Sequence, residues 1–86
     1  MDINQLIEIV KNKISKNIIA EKIDVEDKTF LHKKHETHTI GKYHLKIIIT
    51  SKELNSKSKI ESTKIIYKLL NDEMKKYIHS LQIYLN

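Results

Sequence analysis

The order of apolar and polar positions divides the first half of the chain into a helix and two strands. Apolar residues recur every three or four positions over residues 2–17, which predicts a helix with Asp2 as its N-cap. Apolar and polar residues alternate over residues 22–28 and 43–50, which predicts two strands that each bury one face. A polar stretch over residues 29–42 separates the two strands.

The second half of the chain predicts helical structure. Residues 52–57 are typical of a turn or a short helix. A long helix is then predicted from Ser58 to about Lys76, because Ser58 and Glu61 have the spacing of a capping box. The helix would bury a broad apolar stripe made of Ile60, Ile65, Ile66, Leu69, Leu70 and Met74.

Residues 79–85 alternate again and predict a third strand. On this pattern His79, Leu81, Ile83 and Leu85 share one face, and Ser80, Gln82 and Tyr84 share the other. The stretch from Thr50 to His79 is long enough for a helical crossover, which lets the third strand join in parallel. The pattern therefore predicts a single α+β domain over residues 1–86, in the order α-β-β-α-α-β, with a three-stranded mixed sheet and helices packed on one face.

Composition narrows the classes of function. The net charge of +5 comes from 16 basic residues, all of them lysine, against 11 acidic residues. This balance favours weak attraction to acidic partners, but the chain lacks the arginine that most often reads guanine edges. The chain has no cysteine, so a soft metal centre would need thiolates from a partner. No signal-peptide pattern or membrane-spanning run is present, which favours a cytoplasmic protein with no membrane partner. A basic domain of this size is expected to be a monomer when alone.

The five histidines are the candidate metal ligands. His32, His35 and His38 fall within the polar stretch, whereas His44 and His79 open the second and third predicted strands. Imidazole is a common metal ligand and titrates near neutral pH. The loop spacing does not place three ligands on one helical face, so these residues are also consistent with solvated loop histidines. No nucleophile triad, phosphate loop or carboxylate pair is present, and we expect no enzymatic activity.

Four short motifs occur in order along the chain and carry a family resemblance. An acidic residue precedes a histidine in Asp27–His32, and a histidine stands second in Tyr43–Ile47. The segment Lys64–Met74 has a basic residue, two apolar positions and a leucine-rich end. The last motif is His79–Leu81, which occupies the place of a C-terminal His-Ala-Leu motif. This set resembles the BolA family, which has a class II KH-like fold. The single glycine excludes the GxxG loop of nucleic-acid-binding KH domains.

The chain departs from the BolA pattern after the second strand and at the start of the long helix. Leu54–Ser56 stands where the family has Phe-x-Gly after the second strand, and Ser62–Lys64 stands where it has Arg-His-Arg. The resemblance nevertheless extends from about Ile3 to Leu85.

The resemblance implies a function in iron–sulfur cluster assembly or trafficking. BolA proteins pair with monothiol glutaredoxins and glutathione around a shared [2Fe–2S] cluster, and none is bound by the BolA protein alone. The implied ligands are His32 and His79, with His35 and His44 as second choices. The alternative implied by the family is a DNA-binding transcriptional regulator, with weak contacts from Lys57, Lys59, Lys64 and Lys68. A metal-free module that docks on glutaredoxin is a third possibility.

Overall fold

The computed structural model describes residues 1–29 and 42–86. These ranges form an α+β fold in the predicted order. Its elements are α1 (Ile3–Asn17), β1 (Lys22–Asp27), β2 (Tyr43–Thr50), α2 (Lys52–Asn55), α3 (Lys59–Leu69), α4 (Asn71–Lys76) and β3 (Ile78–Leu85). No helix within the described ranges is long and apolar enough to cross a membrane.

The sheet has the order β1-β2-β3, with β2 in the centre. Strand β2 pairs antiparallel with β1 and parallel with β3, which confirms the mixed sheet. The parallel pairing is possible because α2, α3 and α4 carry the chain back to the start of the sheet before β3 begins. Leu45, Ile47 and Ile49 on β2 are at most 1% exposed and form the centre of the core.

Helix α1 covers this core with the stripe that its periodicity predicts. Leu6, Val10 and Ile14 are fully buried in the same apolar cluster as the β2 residues. The helix begins with a capping box, because the Asp2 carboxylate accepts from the Gln5 amide at 2.8 Å and the Gln5 side chain accepts from the Asp2 amide at 3.1 Å. The predicted N-cap is confirmed.

The single long helix predicted after Ser58 is wrong in one respect. Ser58 is the N-cap, as expected, but the regular helix ends at Leu69 and restarts at Asn71. Leu70 between them has φ −100° and ψ 16°, outside the usual helical range.

The predicted apolar stripe also needs correction at its first member. Ile60 is 70% exposed, whereas Ser62 is fully buried. Successive residues turn by about 100° around a helix, so Ile60 faces away from the side on which Ser62 and Ile66 are buried. The Ser62 hydroxyl is satisfied there, since it donates to the Leu54 carbonyl at 2.6 Å.

An ion pair joins the first helix to the last. Nζ of Lys13 on α1 lies 2.8 Å from both carboxylate oxygens of Glu73 on α4. The Glu73 side chain is only 9% exposed, and that of Lys13 is 37% exposed. The pair therefore neutralises a carboxylate that has lost most of its contact with water.

Candidate functional site

A bulge in β3 decides where His79 points. Tyr43 of β2 pairs with Ile78, but the next β2 residue, His44, pairs with Ser80. His79 is therefore an extra residue in the β3 strand, and a bulge of this kind redirects side chains. The prediction that His79 and Leu81 share one face is wrong, because Ile78 and Leu81 are buried whereas His79 is exposed.

The redirected His79 side chain lies against His44. The two ring centroids are 4.8 Å apart, and the rings meet edge to face at 63°. His44 is only 6% exposed, and its Nδ1 lies 2.6 Å from the Ser80 hydroxyl. One exposed and one buried imidazole thus form a compact pair at the start of the two parallel strands. We call His44, His79 and Ser80 the histidine cluster.

The backbone beside this cluster is held by the end of β1. The Thr29 hydroxyl accepts from the His44 amide at 3.2 Å and donates to the Asp27 carboxylate at 2.5 Å. The Lys28 amide donates to the His44 carbonyl at 2.7 Å. Because these contacts tether both backbone polar groups of His44, its place in the cluster is fixed from the β1 side as well.

Glu26 provides a local negative charge two residues before Lys28. Its carboxylate lies 3.0 Å from Nζ of Lys28. The hydrogen bond and the positive charge of Lys28 lower the pKa of Glu26 below its ordinary value of 4.5, and Lys46 adds a smaller effect in the same direction. A lowered folded-state pKa means that the contribution to stability is present above the unfolded-state value and is lost as pH falls through the folded-state value.

Replacing Lys28 with glutamine should therefore raise the Glu26 pKa towards 4.5. We expect a carboxyl-detected NMR titration to show a Glu26 midpoint below that value in the native chain and a higher midpoint in Lys28→Gln. Lys22→Gln is the matched control, because its ammonium lies 3.6 Å from Asp24 instead. Identical Glu26 midpoints in the native chain and Lys28→Gln would contradict this assignment.

The structure brings together two of the five predicted metal-site candidates. His44 and His79 are neighbours, as the parallel strand pairing requires. His32, His35 and His38 lie outside the described residues, so the predicted joint placement of His32 and His79 stays a prediction. Sequence reasoning missed Ser80. Its position directly after His79 was visible, but the bulge that pairs it with His44 was not.

The lysines of the DNA-binding alternative lie elsewhere. Lys57, Lys59, Lys64 and Lys68 are all exposed, in the turn before α3 and along that helix. Lys57 and Lys59 line a surface depression with Tyr84 and Leu85, which are at the far end of β3 from His79. The histidine cluster therefore lies at one end of β3, whereas Lys57 and Lys59 lie beside its other end.

The element order and the mixed three-stranded sheet define the protein as a class II KH-like domain, here with a histidine pair at one end of the sheet. The chain belongs to the BolA-like protein family, whose model matches residues 14–86.

Curated relatives and a solved structure agree with this assignment. The chain is 31% identical over 78 residues to the DNA-binding transcriptional regulator BolA of Haemophilus influenzae, a match that covers 91% of this chain and 73% of the regulator. It is 29% identical over 79 residues to SufE-like protein 1, chloroplastic/mitochondrial, of Arabidopsis thaliana, covering 86% of this chain but only 21% of that protein.

The solved BolA domain of SufE1 from Arabidopsis thaliana superimposes with a TM-score of 0.81 at 27% identity, over 99% of this chain and 94% of that domain. The part of SufE-like protein 1 that the chain resembles is thus its BolA domain.

Proposed function

We propose that this BolA-like protein is a non-enzymatic accessory factor that shares a [2Fe–2S] cluster with a monothiol glutaredoxin. The observation that carries the proposal is the exposed imidazole of His79, held at one end of the sheet against His44. A ligand to a centre that two proteins hold jointly must lie at the surface of each of them. The similarity to the BolA domain of SufE1 and to SufE-like protein 1 supports the iron–sulfur assignment.

The residues present fit such a centre. Imidazole nitrogen is an established iron ligand, and histidine in place of cysteine raises the potential of a [2Fe–2S] centre and makes its ligation depend on pH. This chain has no cysteine, so the thiolates must come from the partner and its glutathione. His79 is proposed as the ligand from β3, and His32 as the second ligand. His44 is buried and shares a hydrogen bond with Ser80, which favours a supporting role.

Visible absorption and circular dichroism test the proposal. The chain is mixed with a monothiol glutaredoxin, glutathione, iron and sulfide under anaerobic conditions. We expect a cluster spectrum that differs from the spectrum of the glutaredoxin homodimer, together with a stable heterodimer on size exclusion. A spectrum identical to that of the homodimer would contradict the proposal. Association of the two proteins without metal would then indicate a docking module.

DNA binding is the second candidate, because the turn and helix α3 expose four lysines and a relative is a named DNA-binding regulator. Lysine contacts to phosphate release counterions, so the logarithm of the affinity falls with the logarithm of salt concentration by about 0.9 for each contact. Replacing Lys57, Lys59, Lys64 and Lys68 with glutamine should flatten that slope in a fluorescence titration of duplex DNA. A variant with Lys11, Lys16, Lys75 and Lys76 replaced has the same net charge and is the control. Equal slopes in both variants would contradict a specific role for α3.

A further inference from the structure

The hydroxyl of Ser80 connects to His79 through a third residue. It lies 2.6 Å from Nδ1 of His44, whose ring meets the ring of His79 edge to face at 4.8 Å. His44 is 6% exposed, so its ring is packed as well as hydrogen-bonded. The exposed imidazole of His79 thus lies against a neighbour with a fixed orientation.

We propose that Ser80 and His44 are positioning residues, which hold the His79 imidazole in one orientation so that it meets a metal centre held by a partner. This inference rests on the proposed function, and it assigns to Ser80 a role that the strand pattern alone does not suggest. Neither positioning residue needs to contact the metal. Ser80 and His44 influence metal binding only by orienting the ring of His79.

His79 needs such positioning contacts because of the bulge in β3. An exposed histidine on a strand has several staggered χ1 rotamers available, so its ligating nitrogen can point in different directions. The extra residue in β3 turns His79 out of the core and removes it from the packing that would otherwise select one rotamer. The His44 ring, 4.8 Å away, supplies a replacement contact, and the Ser80 hydroxyl at 2.6 Å from Nδ1 helps to orient that ring. Groups that orient a metal-bound histidine in this way strengthen metal binding in other proteins.

The chain offers a mild substitution for testing this role. The BolA closing motif has alanine after its histidine, and here that place is taken by Ser80. Ser80→Ala removes the hydroxyl and leaves the buried apolar residues of β3 unchanged. Ser80→Thr keeps a hydroxyl and is the rescue variant, and Gln82→Ala is the matched control, since Gln82 is exposed two residues along the same strand.

The first measurement uses the chain alone, without metal. Long-range ¹H–¹⁵N correlation reports the tautomer of His44, and three-bond couplings report the χ1 rotamers of His79. We expect one dominant tautomer and one dominant rotamer in the native chain and in Ser80→Thr. Ser80→Ala should mix the His79 rotamers, and Gln82→Ala should not. An unchanged His79 rotamer distribution in Ser80→Ala would overturn the positioning role.

The second measurement uses the cluster-loaded complex with a monothiol glutaredoxin and follows cluster loss to a chelator. Loss should be about 10-fold faster with Ser80→Ala, and close to the native rate with Ser80→Thr and Gln82→Ala. An unchanged rate with Ser80→Ala would overturn the positioning role even if the rotamers mix. If the native chain itself gives only the spectrum of the glutaredoxin homodimer, the proposed function fails instead. The two failures are therefore distinguishable.

Discussion

Replacing His79 with alanine should abolish the heterodimeric cluster spectrum and return the mixture to the glutaredoxin homodimer. The reason is that His79 is the exposed imidazole of the histidine cluster, while His44 is buried behind it. The chain has no cysteine that could take its place. Titrating the variant into preloaded glutaredoxin and following visible circular dichroism checks the result.

The control for this experiment is Gln82→Ala, which removes an exposed side chain from the same strand and should leave the spectrum native. Far-ultraviolet circular dichroism should show both variants folded, because neither side chain belongs to the buried core. A heterodimeric spectrum that persists at native intensity in His79→Ala would contradict the ligand assignment.

Replacing Lys13 with methionine should lower the free energy of unfolding by about 2 kcal/mol, because it leaves a mostly buried carboxylate without its charged hydrogen-bond partner. Glu73 is the partner left behind, with a side chain only 9% exposed. Urea denaturation at neutral pH, with the slope held in common across variants, measures the effect.

Two further variants separate the ion pair from a general effect of removing lysine. Lys16→Met changes an exposed residue of the same helix and should alter the free energy of unfolding by less than about 0.5 kcal/mol. The double variant Lys13→Met with Glu73→Met should recover most of the lost stability, since it leaves neither charge without its partner. If Lys13→Met behaves like Lys16→Met, the pair contributes nothing measurable.

The alternation of residues predicted most of the fold. Leu45, Ile47 and Ile49 repeat every second position and are all buried at the centre of the sheet, because a strand covered by helices on one face must bury every second residue. The parallel return of β3 followed from the length of chain before it. These features depend on periodicity and chain reach, and both can be obtained from a single sequence.

The incorrect predictions concern places where a single residue interrupts the regular repeat of a strand or helix. The alternation of residues 79–85 placed His79 on the same face as Leu81, but the bulge between Ile78 and Ser80 leaves His79 exposed while Leu81 is buried. A bulge depends on how two strands pair, and one strand's own sequence does not show it. The same limit applies to the helix that ends at Leu69, and to the buried place of Ser62, which a distant carbonyl satisfies.

The candidate site was predictable in its residue types but not in its geometry. Histidines at the starts of two strands were visible in the sequence, and the parallel pairing brings His44 and His79 together. The hydrogen bond between Ser80 and His44 depends on the bulge register and could not be predicted. The role of His32 stays a prediction.

Pulsed electron paramagnetic resonance of the reduced heterodimeric complex tests the central claim most directly. This chain would carry ¹⁵N-histidine, and the glutaredoxin would have natural-abundance nitrogen. If His79 is a ligand, the spectrum should show hyperfine couplings typical of directly coordinated ¹⁵N-imidazole, and a His79→Cys variant that retains the cluster should lose the coupling due to that residue. A spectrum that does not change with the isotope label would contradict ligation by any histidine of this chain.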